Sequence, residues 1–183
     1  SWMSEGIRLA ANADGVRRAF DKLDRPGMLS ELRKATKDTV NDLELMQAAV
    51  RAKDFRIPLE DLGKYLQFAR LKAQQTGQSV DYLTDSIITG LGRKSLLILD
   101  NLGLSAAEVN EEMAKTGDLM TAVAAIVDRQ LAQAGENYVS AADKAAQKAA
   151  ELQNRQMEIG RLLLPLQEKW SGLFQSLKLG FSD

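Results

Sequence analysis

The chain contains no cysteine and no histidine among its 183 residues. Without cysteine there is no disulfide and no thiolate metal site. Without histidine the commonest general base and the commonest metal ligand are both gone. That double absence weighs against an enzyme. Charge of one sign is lacking too: the net value is −1, so bulk electrostatics call for neither nucleic acid nor an acidic membrane surface. No apolar run approaches the ~20 residues that span a bilayer, and no signal-peptide pattern opens the chain. Prolines number three, and β-branched residues are few. What is there is Ala, Leu, Gln, Glu, Lys and Arg in abundance, a helix composition. With 45% hydrophobic and 27% charged residues, the balance is that of a soluble globular protein long enough to bury a core.

Apolar spacing supports helices almost throughout. Leu9, Ala13, Val16, Phe20 and Leu23 lie four, three, four and three apart, a heptad stripe that the residues "DRPGM" (Asp24–Met28) interrupt. A short helix is expected through "LSELRKATK". Thr39 with Asp42 three residues on has the form of a capping box ahead of Leu43, Met46, Ala49 and Val50. Pro58 suits the first turn of a helix whose apolar face is Leu59, Leu62, Leu66, Ala69 and Ala73, with Gly77 as its stop. Ser79 can cap a helix carrying Val80, Leu83 and Ile87. Further on, "SAAE" (Ser105–Glu108) is a capping box for a helix with Val109 and Met113 that ends near Gly117. Asp118 can cap the next, with Leu119, Val123, Ile126, Val127 and Leu131 inward and Gly135 at its end.

The last third differs in kind. Its stripe runs Ala145, Ala149, Leu152, Ile159, Leu163, Leu166, Trp170, Leu173 and Leu177, interrupted at Gln156. That predicts one long amphipathic helix or two nearly collinear ones, with Pro165 as kink or boundary. The expected fold is all-α: a compact domain of several short helices (25–135) between an amphipathic helix (1–24) and a long amphipathic helix pair (136–183).

One stretch raises a sharper possibility. "TGLGRKSLLILDNLG" (residues 89–103) has glycines, a basic pair and a serine, then an apolar run into an aspartate. A phosphate loop needs G-x-x-x-x-G-K-S/T, because main-chain amides must wrap the phosphates before the lysine arrives. Here Arg93 precedes Lys94, and the first glycine position is Ile88, so the spacing fails at both ends. The flanking residues read as helix, not strand. The structural expectation is that Gly90 and Gly92 end a helix at positive φ and that Ser95 caps a turn whose Leu96, Ile98 and Leu99 plug the core. Asp100 or Asn101 would bond local amides at a turn completed by Gly103, and Arg93 or Lys94 would pair with Asp85 or Asp100.

Other chemistry is thinner. Glu60 with Asp61, and Glu111 with Glu112, are neighbours that do not face each other on a helix. Glu108 with Glu111 or Glu112 would share a face, most simply a solvated one. Basic clusters at Arg33, Lys34 and Lys37, and at Arg70 and Lys72, lack interleaved aromatics. Trp170 and Phe174 suit a partner-facing seam better than a membrane face, because the polar side there is mixed rather than basic. No residue is assigned a catalytic, cofactor-binding or metal-binding role.

The 89–103 stretch and its approach nevertheless carry an identity. Ala73, Thr76, Gly77 and Ser79 form A-x-x-T-G-x-S; Gly90, Gly92, Arg93 and Ser95 form G-x-G-R-x-S; Ile98–Gly103 form I-L-D-N-L-G. Together these resemble phage tail tape measure proteins, over roughly residues 30–175 with the specific core at 76–103. "IGRLLLPLQEKW" (Ile159–Trp170) is more loosely similar to a helix of that family. Leu96 departs from it, where proline is frequent, and Asp54, Phe55 and Arg56 sit where a more regular helix is expected. The resemblance implies a segment of a much longer helical structural protein that lies in the tail tube lumen and sets tail length. It implies assembly in the host cytoplasm and release toward the host cell envelope at genome ejection. Implied partners are tail tube and tail assembly chaperone proteins, with further copies of itself or a host envelope protein after them. No cofactor, small-molecule substrate or specific nucleic acid is implied. Two other readings stand beside it: a helical adaptor binding a phage or host protein through an apolar face, and a small all-α enzyme.

Overall fold

Local capping chemistry sets where most helices begin and end. The computed structural model describes the main chain of residues 1–135 and 139–181, and the side chains through Lys169 together with Leu173. Among the described residues the protein is all-α, with nine helices and no strand. They are α1 (Trp2–Asp21), α2 (Met28–Ala35), α3 (Asp42–Asp54), α4 (Leu59–Thr76), α5 (Val80–Gly92), α6 (Leu96–Leu99), α7 (Ala106–Thr116), α8 (Leu119–Ala134) and α9 (Ala141–Phe181); a 3-10 turn (Asp100–Leu102) follows α6. Ser79, Ser95, Ser105 and Asp118 each accept a hydrogen bond from the main-chain N–H three residues on, at 2.9–3.2 Å. Gly77 and Gly117 follow α4 and α7 at φ 78° and 92°, where a Cβ would be strained. The cap of α3 differs from expectation. Asn41, not Thr39, takes the Glu44 N–H at 2.9 Å, because α3 starts at Asp42 and places Asn41 at the cap, while the Thr39 hydroxyl donates to the Thr36 carbonyl at 2.6 Å.

The apolar core lies between Met28 and Val127. Leu62, Leu66 and Ala69 of α4 pack with Leu83 and Ile87 of α5, as their spacing predicts, and Leu99, Leu102 and Leu104 close the assembly. Val109 of α7 and Val123, Ile126 and Val127 of α8 join the same cluster. Residues 28–134 are thus a stack of short helices, not a rod.

The two end helices pack along each other, and α1 also rests on α3. The inward face of α1 is the predicted one, whereas that of α9 is not. On α1, Ala13 is buried and Leu9, Val16 and Phe20, with Leu23 just beyond the helix, are half-buried, as the stripe predicts. Gly6 and Ala10 are buried beside them. On α9 most of the predicted stripe faces outward: Leu152, Leu166 and Leu173 are 54%, 52% and 50% exposed, while Leu163 is half-buried. Asp143, Ala150, Gln156, Met157 and Gly160 are buried instead. The reason is that α9 docks through hydrogen bonds and close backbone approach, which small and amide side chains permit and leucines do not. Pro165 lies inside α9 rather than at a boundary. The expected roles of Trp170, Phe174 and Leu177 concern side chains outside the described residues.

Candidate functional site

The glycine-rich stretch adopts a geometry unlike a phosphate loop. Helix α5 continues through both glycines, and the left-handed residue is Lys94 (φ 53°), so Gly90 and Gly92 do not serve to reach positive φ. They serve as room. A Cβ on Gly90 would lie 2.7 Å from the Leu99 Cδ2, and one on Gly92 would fall on the Phe55 ring. The N–H groups of Arg93, Lys94 and Ser95 donate to the carbonyls of Thr89, Leu91 and Gly90 at 2.9, 3.3 and 2.9 Å. Amides so engaged cannot wrap an anion. The "LLIL" run is a single helical turn in which Leu99 is buried and Leu97 is 83% exposed. Gly103, at φ 72°, closes the following turn by donating its N–H to the Asp100 carbonyl at 2.9 Å, a main-chain closure where an Asp100 or Asn101 side chain is predicted. Asp85 is not held by Arg93 or Lys94 but by Arg51, whose guanidinium also reaches Thr89.

Partly or largely buried carboxylates stand at two other places. Between α3 and α5, Glu44 and Asp81 approach within hydrogen-bonding reach beside a small cavity of about 200 Å³, also lined by Gln47, Arg51 and Thr84. Burial first, then the shared hydrogen bond with Asp81 and its charge, pushes the Glu44 carboxyl up to about 8. These two residues are far apart in sequence, and no periodicity marks either. The second place is Glu112, which turns inward rather than forming a solvated face with Glu108. It is clasped by Arg129 at 3.1 Å and neighboured by Lys115 at 3.8 Å.

A cleft of about 720 Å³ opens between the α4–α5 turn and the start of α9, lined by Leu71, Gln74, Gln78, Ser79, Ser140 and Asp143. Asp143 anchors its inner wall. Its Oδ2 accepts from the Arg70 guanidinium at 3.0 Å, the Gln74 amide at 2.8 Å and the Ser140 N–H at 3.0 Å. Burial raises this carboxyl, but the Ser140 and Gln74 bonds and the Arg70 charge outweigh it, so Asp143 sits below the usual carboxylate range. In the sequence Arg70 stands out only as one of a basic pair.

Among the described residues, no group of three or more His, Cys, Asp or Glu side chains is placed to hold a metal ion. No described helix is long and apolar enough to cross a membrane. No family model, curated protein or solved structure matches the chain. The functional reading therefore rests on the motif at residues 73–103 and on the way the end helices are presented.

Proposed function

We propose that the chain is a structural segment of a phage tail tape measure protein, helping to set tail length and leaving the tube at genome ejection. The observation that carries this reading is the ordered set A-x-x-T-G-x-S, G-x-G-R-x-S and I-L-D-N-L-G over residues 73–103. The geometry is in keeping with it, because the motif's glycines and serines pack or cap. Gly77 ends α4, Ser79 and Ser95 cap, Gly90 admits Leu99, and Gly103 turns the chain. A motif spent on folding suits a structural protein, and on this reading the chain is not an enzyme. Its partners are the tail tube and the assembly chaperone, then further copies or a host envelope protein, and its place is the tube lumen.

A ruler measures by the fixed rise of a helix. All 183 residues as one helix would span about 275 Å, whereas residues 28–134 are folded back on themselves. Within this reading they act as a compact knot in the ruler, a docking or post-ejection module. The test is an in-frame deletion of the segment in the parent phage, with tails measured by electron microscopy. Tails shorter by about 275 Å would mean that the segment unfolds its knot and serves as length. Tails of nearly normal length on particles that fail to infect would mean a folded module. Normal tails with normal infection would overturn the reading.

A helical adaptor is the second reading, favoured by one observation. Leu152, Ile159, Leu166 and Leu173 recur every seven residues and are all exposed, the spacing of a seam that takes another helix. A stoichiometric complex with an unrelated protein outside any tail, lost in Leu152→Gln/Leu166→Gln, would favour it.

A further inference from the structure

Among the described residues, helix α9 contributes nothing to the main apolar cluster, all of whose buried members lie between Met28 and Val127. What joins it to the rest is a ladder of polar contacts along one edge. Arg70 and Gln74 of α4 hold Asp143. The Gln147 amide donates to the Lys37 carbonyl at 2.7 Å, and the Asn41 amide donates to Gln153 at 2.7 Å. The Asp42 N–H donates to Asn154 at 2.8 Å, and the Gln156 amide donates to the Trp2 carbonyl at 2.8 Å. Between these rungs the contact with α1 is made by Gly6, Ala10, Ala13, Ala150 and Gly160, with Met157 as the one large apolar side chain buried on α9 among the described residues.

We propose that α9 is a releasable strap, which detaches from α1 and from residues 28–134 as a unit while that core stays folded. Two physical arguments lead there. Intramolecular hydrogen bonds are exchanged for bonds to water on opening, so each contributes far less than its gross strength. Apolar burial, the dominant favourable contribution to folding, is limited at this interface to small side chains and Met157, with the other large buried apolar side chains concentrated between Met28 and Val127. A structure whose burial is so divided opens in parts rather than all at once. The strap keeps its helix when free, since its first half is rich in Ala, Gln, Lys and Glu. Its leucine face is exposed in the docked state and stays so after release. Release converts a folded-back chain into a core with a projecting helix whose 41 residues span about 60 Å. The inference stands on the interface alone and does not depend on the tape measure reading.

The test is native-state hydrogen exchange on the full chain, resolved by residue across a series of low denaturant concentrations. Amides of Ala150–Gly160 are expected to exchange about 100-fold or more faster than those of Leu62–Ala69 in α4. Amides near Asp143 and near Gly160 should exchange alike, as they would in a unit that leaves together. In the Gln153→Ala/Asn154→Ala variant, which leaves the apolar core untouched, exchange along α9 should rise about tenfold with α4 unchanged. Equal protection of α9 and α4, rising together with denaturant, would overturn the proposal. So would protection near Asp143 that decays steadily toward Gly160, the pattern of end fraying.

Discussion

Gly6 and Gly160 bring α1 and α9 into main-chain contact. A Cβ on Gly160 would fall on the Gly6 carbonyl, and a Cβ on Gly6 would fall on the carbonyl of Gln156. Neither glycine is at positive φ, so what the position demands is space rather than an unusual dihedral. The two lie near opposite ends of the chain, and nothing local to either signals the pairing.

That contact predicts an inversion of the usual helix rule. Gly→Ala inside a helix normally stabilises by about 0.5–1 kcal/mol. Gly15→Ala, where nothing lies within 4 Å of the added carbon, should do so. Gly160→Ala should instead weaken the α1–α9 docking by about 1–3 kcal/mol, because the added carbon pushes two backbones apart. Faster hydrogen exchange in α9 for Gly160→Ala, and none for Gly15→Ala, is the measurement.

Gly92 and Phe55 form a second such pair. Gly92→Ala should cost about 1–3 kcal/mol in urea unfolding by displacing the Phe55 ring. In a Phe55→Ala background the same change should cost much less, since the ring is gone. A double-mutant cycle with no coupling would contradict the assignment.

Within one short run, Leu97 and Leu99 should behave oppositely. Leu99→Ala removes a fully buried side chain and should cost about 2–5 kcal/mol, whereas Leu97→Ala, at an exposed site, should stay within about 0.5 kcal/mol. Chemical denaturation of the two variants decides this.

Glu44 gives a pH dependence. Its folded pKa is raised from 4.5 to about 8, so between those values the unfolded chain has lost a proton that the folded chain keeps. Stability at this group therefore falls as pH rises from about 4.5 toward 8, and levels off above that. Glu44→Gln, which keeps a hydrogen-bonding group without the charge, should raise Tm relative to the parent at pH 9. Near pH 4 the difference should vanish. Thermal melts across that range that ran parallel would show that the carboxyl is not strained by burial and by Asp81.

Much of the helical architecture was determined within a few residues of where it occurs. Ser79, Ser95, Ser105 and Asp118 cap, and Gly77, Gly117 and Gly135 terminate, because a cap is satisfied by amides three residues away and a terminator needs only its own φ. The apolar faces of α4 and α8 were determined in the same way, since one apolar side of an otherwise polar helix has a core to meet. The motif at 73–103 is also local, and its Gly77, Ser79, Ser95 and Gly103 act locally.

Tertiary structure alone decided the rest. The heptad leucines of α9 show that this face is apolar, but periodicity does not say what, if anything, covers it, and the helix docks on a different side. That side was selected by partners far away in sequence: Arg70 for Asp143, Asn41 for Gln153, Asp42 for Asn154, and Gly6 for Gly160. Gly90 and Gly92 carry the same lesson, because the side chains that need their space, Leu99 and Phe55, arrive from other elements. Capping and turn chemistry are short-ranged, so sequence determined them; docking between preformed helices is settled by which polar groups and bare backbones meet once the chain has folded.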